Sequence, residues 1–337
     1  MKRYWTLTVL AVAIASFTLL WLRHAGDISQ LVVLGGYDGQ YYYRLALAPF
    51  STAPVVGSVR FDYPAYRQQR IGYPLLVHVL SAGNPRAVLW LLPIVNCAAI
   101  IAIGWSGLRL APDGGALAAL WPGFLMSLAR DLAEPLEVAL LFAAIVLSAS
   151  RKPWLCTLAL ACAALTRETA LIAAVVFVVL GIRYRDFRFV AGLTSVGAFA
   201  IWKCVVFAMW HLPFNLGAAN VIGPPFVGIM TFFRAANRVE VIELLVLGMF
   251  MLIVFGAIRR AKADTVVKMS LIAYACFAVF LTREIWIEDW AFLRALSEFG
   301  ALGGVIIATS TKWIRRAGGV ILIGGWAALA IDLIRFR

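Results

Sequence analysis

The chain has 337 residues, 63% of them hydrophobic and only 14% charged, with a formal net charge of +13. A soluble domain of this size does not carry so apolar a composition, so the sequence reads as a polytopic membrane protein. The positive charge does not point to nucleic acid, since no basic run accompanies it, and the five cysteines lie in apolar runs without disulfide or zinc spacing.

Taken in order, apolar windows able to cross the ~30 Å hydrocarbon layer fall near 5–22, 86–108, 114–128, 136–150, 189–210, 240–258, 265–281, 292–309 and 318–334. The first follows Lys2-Arg3, has no small-residue cleavage site after it and reads as an uncleaved anchor. Between Trp154 and Ile182 the string is either one long helix or two short legs around Thr166-Arg167-Glu168-Thr169. A single helix would place Arg167 and Glu168 near mid-bilayer and would send the basic loops around Arg183–Arg188 and Arg259–Lys262 to the outer side. Two legs are therefore expected. The expected fold is an all-α polytopic transmembrane helical bundle of about eleven helical elements, a single integral-membrane domain over 1–337.

With the N-terminus inside, fifteen Lys/Arg are inner and fourteen outer, but six of the outer ones lie in the long segment 23–86, which escapes the positive-inside rule. Lys203 falls within a span, either snorkelling or facing a cavity. Fourteen of the seventeen carboxylates then fall at the outer face, with arginine as the loop cation there, a side chain suited to forked contacts with phosphate. This places the chemistry on the outer side of the membrane.

The first outer loop, 23–85, is longer than a connector needs to be. In "GGYDGQYYYRLALAPF", Asp38 precedes a short helix ended by Pro49, and "YRQQRIGYPLLVHVL" reads as a second, amphipathic one suited to the headgroup plane. Asp38 reads as an N-cap, as a functional carboxylate, or as both. Tyr37 and Tyr41, four apart, either join an interfacial belt or present rings to a sugar, with Gln40 and Arg44 beside them. Arg67 and Arg70 contact either headgroups in general or a specific phosphate. In "LARDLAEPLEVAL", Asp131 and Glu134 precede or begin a helix at Pro135 and either cap it or contact substrate or metal. In "LTREIWIEDWAFLRALSEF", Arg294 and Glu298 are spaced for a helix-face pair or for a place in the site. The three histidines lack ligand spacing.

A long first outer loop with amphipathic helices and an early Asp, acids in the next outer turn, and a short helix pair around a polar turn together resemble the GT-C superfamily of membrane glycosyltransferases. The strings "YDGQYYYRLA" and "YPAYRQQRIGYPLL" are similar to a bacterial subfamily associated with cell-surface glycopolymer formation. The resemblance implies a polyprenyl-phosphate-linked sugar as donor, a glycan, lipid or protein as acceptor, and Asp38 as the base toward the acceptor hydroxyl. The same reading makes Arg67, Arg70, Arg167 and Arg294 donor-phosphate candidates. Tyr37, Gln40, Tyr41, Arg44, Asp131, Glu134, Glu168 and Glu298 are then substrate-contact candidates. Where relatives often carry a second acid beside the first, this chain has Gly39 and Gln40, so a divalent metal is allowed but not required. A transporter or flippase of lipid-linked sugar, or a glycan polymerase or ligase, is the alternative. Transporters tend to carry internal repeats and mid-membrane sites, which this sequence lacks.

Overall fold

The structure, a computed structural model, describes residues 2–25, 29, 38–211, 221–235, 238–287 and 291–335. Its elements are α1 (Lys2–Ala25), α2 (Gly39–Leu47), strands β1 (Val55–Val56) and β2 (Val59–Arg60), α3 (Pro64–Gln68), α4 (Gly72–Ser81), α5 (Pro85–Leu110), a 3₁₀ helix (Gly115–Leu120), α6 (Gly123–Ala129), α7 (Glu134–Ala149), α8 (Pro153–Thr166), α9 (Ala170–Tyr184) and α10 (Arg188–Trp210). They continue with α11 (Val227–Ala235), α12 (Arg238–Ile258), α13 (Thr265–Ala278), α14 (Arg283–Ile287), α15 (Ala291–Ala295), α16 (Ser297–Ala308) and α17 (Lys312–Arg335). The all-α expectation holds. Among the described residues, four helical stretches are long and apolar enough to cross a membrane: Thr6–Arg23, Pro85–Leu110, Arg188–Trp210 and Lys312–Ile334.

The chain divides into two compact units that alternate along the sequence, one of Met1–Leu10, Ile101–Met126 and Ala219–Arg337, the other of Ala11–Ile100 and Ser127–Ala218. In the second unit, α7, α8, α9 and α10 run up and down in succession. The two legs expected around the Thr166–Thr169 turn are α8 and α9, and the turn itself is Arg167-Glu168-Thr169. Small residues set their packing: Ala163, Ala164 and Ala170 are fully buried against Leu140, Leu171 and Phe199.

Three sequence expectations are corrected, and one small element is new. The window at 114–128 is not one helix. Trp121 is extended at ψ 123° ahead of Pro122, whose ring disfavours a helical residue before it, so a 3₁₀ turn and α6 replace the expected span. The window at 292–309 breaks at Leu296 into α15 and α16. The second loop helix breaks into α3 and α4 at Gln69-Arg70-Ile71. Finally, "VVGSVR" forms a hairpin in the all-α chain, because Gly57 and Ser58 both take positive φ (55° and 66°), the geometry of a two-residue primed turn.

Helix α2 is the keystone of the loop. Its Tyr42 and Ala46 pack with Tyr73, Val77, Val88, Leu92, Leu132 and Ala133. Its Tyr41 and Leu45, one position earlier and so rotated around the helix, pack with Phe61 and Ile71 toward Trp202 and Trp210. Both faces of a nine-residue helix are thus buried, although a helix this short has little stability of its own.

Candidate active site

Asp38 stands immediately before α2 with helical backbone angles, and its side chain makes no capping bond. Its carboxylate is instead held by two guanidinium groups. Arg67 Nη1 donates to Oδ1 at 2.5 Å and Arg70 Nη1 to Oδ2 at 3.0 Å. Each arginine is fixed in turn by a second acid. Arg67 reaches Asp62 through Nε (2.8 Å) and Nη2 (2.6 Å), and its guanidinium lies over the Tyr41 ring at 4.3 Å. Arg70 forks onto Glu168 through Nε (2.9 Å) and Nη2 (2.5 Å) and donates to the Tyr66 hydroxyl at 2.8 Å. Three residues apart on near-helical backbone, Arg67 and Arg70 share one face and so converge on one carboxylate.

Two glycines permit this convergence. A Cβ on Gly39 would strike the Arg130 carbonyl and come within 3.5 Å of the Asp131 Cβ, so the start of α2 seats directly on the 130–131 turn. A Cβ on Gly72 would lie 2.8 Å from the Thr166 amide nitrogen and 2.9 Å from its Cα, so the start of α4 seats on the end of α8, next to Glu168. Arg167 then turns Nη2 toward Glu134 Oε1 at 3.6 Å, and Glu134 Oε2 accepts from Ser127 Oγ at 3.3 Å. The cap expected of Asp131 or Glu134 is not formed: Ala133 occupies the N-cap of α7 and no side chain caps it.

The electrostatics follow from these contacts. Burial works to raise the Glu168 carboxyl, but Arg70 overrides it and holds the group at about 2. Asp62 is likewise opposed by burial and pulled below the usual carboxylate range by the bonds from Arg67. Both acids are charged at neutral pH. Asp131 differs: it is wholly buried, its φ is 53°, neither carboxylate oxygen has a hydrogen-bond partner, and burial pushes it well above the ordinary value. Behind it, Asn96 Nδ2 donates to the Leu132 carbonyl (3.0 Å) and to the Tyr73 hydroxyl (3.1 Å), which donates to the Leu92 carbonyl (2.8 Å).

The sequence candidates thus sort by position. Asp38, Arg67, Arg70, Glu168, Arg167 and Glu134 lie in one chain of charged contacts, with Tyr41 beneath Arg67 and Asp131 behind Gly39. Gln40 is half-buried. Arg44 is not presented to a ligand. It is 1% exposed, donates to the carbonyls of Ala53, Pro54 and Val59, and stacks on Phe61 at 4.1 Å, so it braces the hairpin. Arg294 and Glu298 belong to the first unit. The break at Leu296 puts them on separate helices, which removes the helix-face spacing expected of them. Tyr37 lies outside the described residues. Lys203 resolves toward the loop, donating to Gln69 Oε1 at 2.9 Å, while Trp202 and Trp210 hold Gln68.

Asp62, Tyr66 and Asn96 escaped the sequence reading. Asn96 had a signal, as a lone amide in the apolar α5. Asp62 had none beyond its place in the same loop. Among the described residues no group of three or more His, Cys, Asp or Glu side chains is placed to hold a metal ion. His78 serves the backbone, its Nδ1 lying 2.7 Å from the Ala46 carbonyl oxygen. Compared with known protein families and with curated protein sequences, the chain matches none.

Proposed function

We propose that the chain is an inverting glycosyltransferase that moves a sugar from a polyprenyl-phosphate donor to a hydroxyl of a glycan, lipid or protein acceptor, with its site at the periplasmic face of a bacterial inner membrane. The observation that carries this reading is the clasp of Asp38 by Arg67 and Arg70. The reaction needs one carboxylate to take a proton and cations to receive a departing phosphate, and here both sit within one hydrogen-bonded group.

In this reading Arg67 and Arg70 rest on carboxylates until a donor phosphate competes for them. Their movement toward the phosphate frees an oxygen of Asp38. The acceptor oxygen then forms a bond to the anomeric carbon as the carbon–oxygen bond to phosphate breaks. That electron pair leaves with the phosphate, the acceptor's proton passes to Asp38, and configuration inverts. Glu168 and Asp62 hold the two forks in register between turnovers, Tyr41, buried beneath the Arg67 guanidinium, steadies that fork, and Gln40 in the first turn of α2 is a contact for the sugar.

The test is reconstitution of the whole chain with a panel of polyprenyl-phosphate sugars, following release of the lipid phosphate. Asp38→Asn is expected to lower turnover by about 10²- to 10⁴-fold while the protein remains inserted. Turnover at the wild-type rate would remove Asp38 from the chemistry. A sugar-lipid that crosses the bilayer intact, with no lipid phosphate released, would replace transfer with transport.

A further inference from the structure

In the second unit, the α7–α8 and α9–α10 joints lie at the same end, because each helix reverses the direction of the one before it, and the Arg167–Thr169 turn lies at the other. The two joints are adjacent: the charge of Arg151 acts on Asp186, and that of Arg188 reaches Cys156 near the start of α8. Asp186 is committed to Arg188 by contacts of 2.5 and 2.9 Å. That leaves Arg151, Lys152, Arg183 and Arg185 exposed around it.

Helix C-termini favour cations, which accounts for Arg151 and for Arg183 and Arg185 at the ends of α7 and α9. Lys152, whose amide still closes the end of α7 on the Leu147 carbonyl at 2.9 Å, is also the N-cap of α8, where the helix dipole repels a positive side chain. An anion seated here offsets that repulsion. Two aromatic residues flank the patch, Trp154 at 86% exposure and Tyr184 at 53%, as side chains do at headgroup depth. Beyond them runs an apolar surface that includes Leu158 (61% exposed), Ile182 (62%) and Val190 (58%).

We propose that this end of the unit binds an anionic glycerophospholipid, its phosphate held among Arg151, Lys152, Arg183 and Arg185 and its acyl chains lying along the apolar surface beyond Trp154 and Tyr184. Basic pockets between membrane helices on the cytoplasmic side recognise such headgroups. The site rests on the reading that these helices cross a bilayer and is independent of the transfer reaction at the opposite end.

The test uses the full chain in detergent, with phosphatidylglycerol and phosphatidylcholine of matched acyl chains added and bound lipid read by native mass spectrometry. Wild-type protein is expected to retain phosphatidylglycerol at least about tenfold better than phosphatidylcholine, and a variant with all four cations changed to Gln is expected to lose that preference. A variant with Arg151→Lys, Arg183→Lys and Arg185→Lys keeps the charge and is expected to keep most of it. Equal retention of both lipids by the wild type, or full preference in the neutralised variant, overturns the proposal. If neutralisation blocks insertion, the wild-type ratio decides alone. Extraction of the wild-type chain from membranes by alkaline carbonate would instead defeat the membrane reading beneath it.

Discussion

Asp38 and Asp131 are carboxylates on either side of one tight backbone contact, and they have opposite surroundings. Asp38 meets two guanidinium groups, whereas Asp131 has no hydrogen-bond partner. An acid whose folded value lies above its unfolded one keeps a proton that the unfolded chain releases, so its contribution to stability falls as pH rises above about 4 and keeps falling until the folded group ionises. Asp131→Asn removes that slope, and Asn tolerates the left-handed backbone. Thermal unfolding from pH 4 to 8 is expected to show the variant more stable than wild type at neutral pH, with the gap closing toward pH 4. A constant gap, or a less stable variant at pH 7, would mean that Asp131 is ionised and paired in the folded protein. At this scale the sequence named most of the charged chain, because acids and arginines stand out between the apolar runs of such a protein. It overread Arg44, since nothing local reveals that a hairpin's carbonyls will fold back onto it.

Elements seat on one another here through absent side chains. Gly39 on the 130–131 turn and Gly72 on the end of α8 fix where Asp38 and Arg70 sit. Gly39→Ala or Gly72→Ala is expected to cost ~1–3 kcal/mol through overpacking against backbone that cannot retreat, and to lower activity further than stability alone explains. Gly197→Ala, in α10 with nothing within 4 Å of the added methyl, is expected to be neutral or to stabilise by up to ~1 kcal/mol through helix propensity. Denaturant or thermal unfolding of the three variants checks the contrast, and equal effects would mean that the two seats are loose. The breaks at Trp121-Pro122, Gln69–Ile71 and Leu296 belong to this scale as well. The first had a sequence signal in Pro122 that hydropathy windows average away. The second had one too, in Gly72 and in Pro74, whose ring clashes with the carbonyl four residues earlier at Arg70; the third had none, because apolar residues continue through Leu296 and only packing interrupts the helix.

At the scale of the whole molecule, the proposed function requires one orientation, with the Asp38 loop outside and the Arg151–Arg185 end inside. In a cysteine-free background, Tyr63→Cys, on the exposed loop, is expected to react with a membrane-impermeant thiol reagent in cells whose outer membrane alone is opened. Lys152→Cys is expected to react only after the inner membrane is breached. Labelling in the reverse order would invert the topology and remove Asp38 from any periplasmic donor. By itself the sequence determined the helical, membrane-type composition, the paired legs around Arg167-Glu168, and the identity of the acids and arginines, because burial cost and charge asymmetry act on composition and spacing alone. Which guanidinium meets which carboxylate was decided only by the tertiary structure. Those contacts join residues 38, 67, 70 and 168, and the two glycine seats that align them are made with backbone far away along the chain.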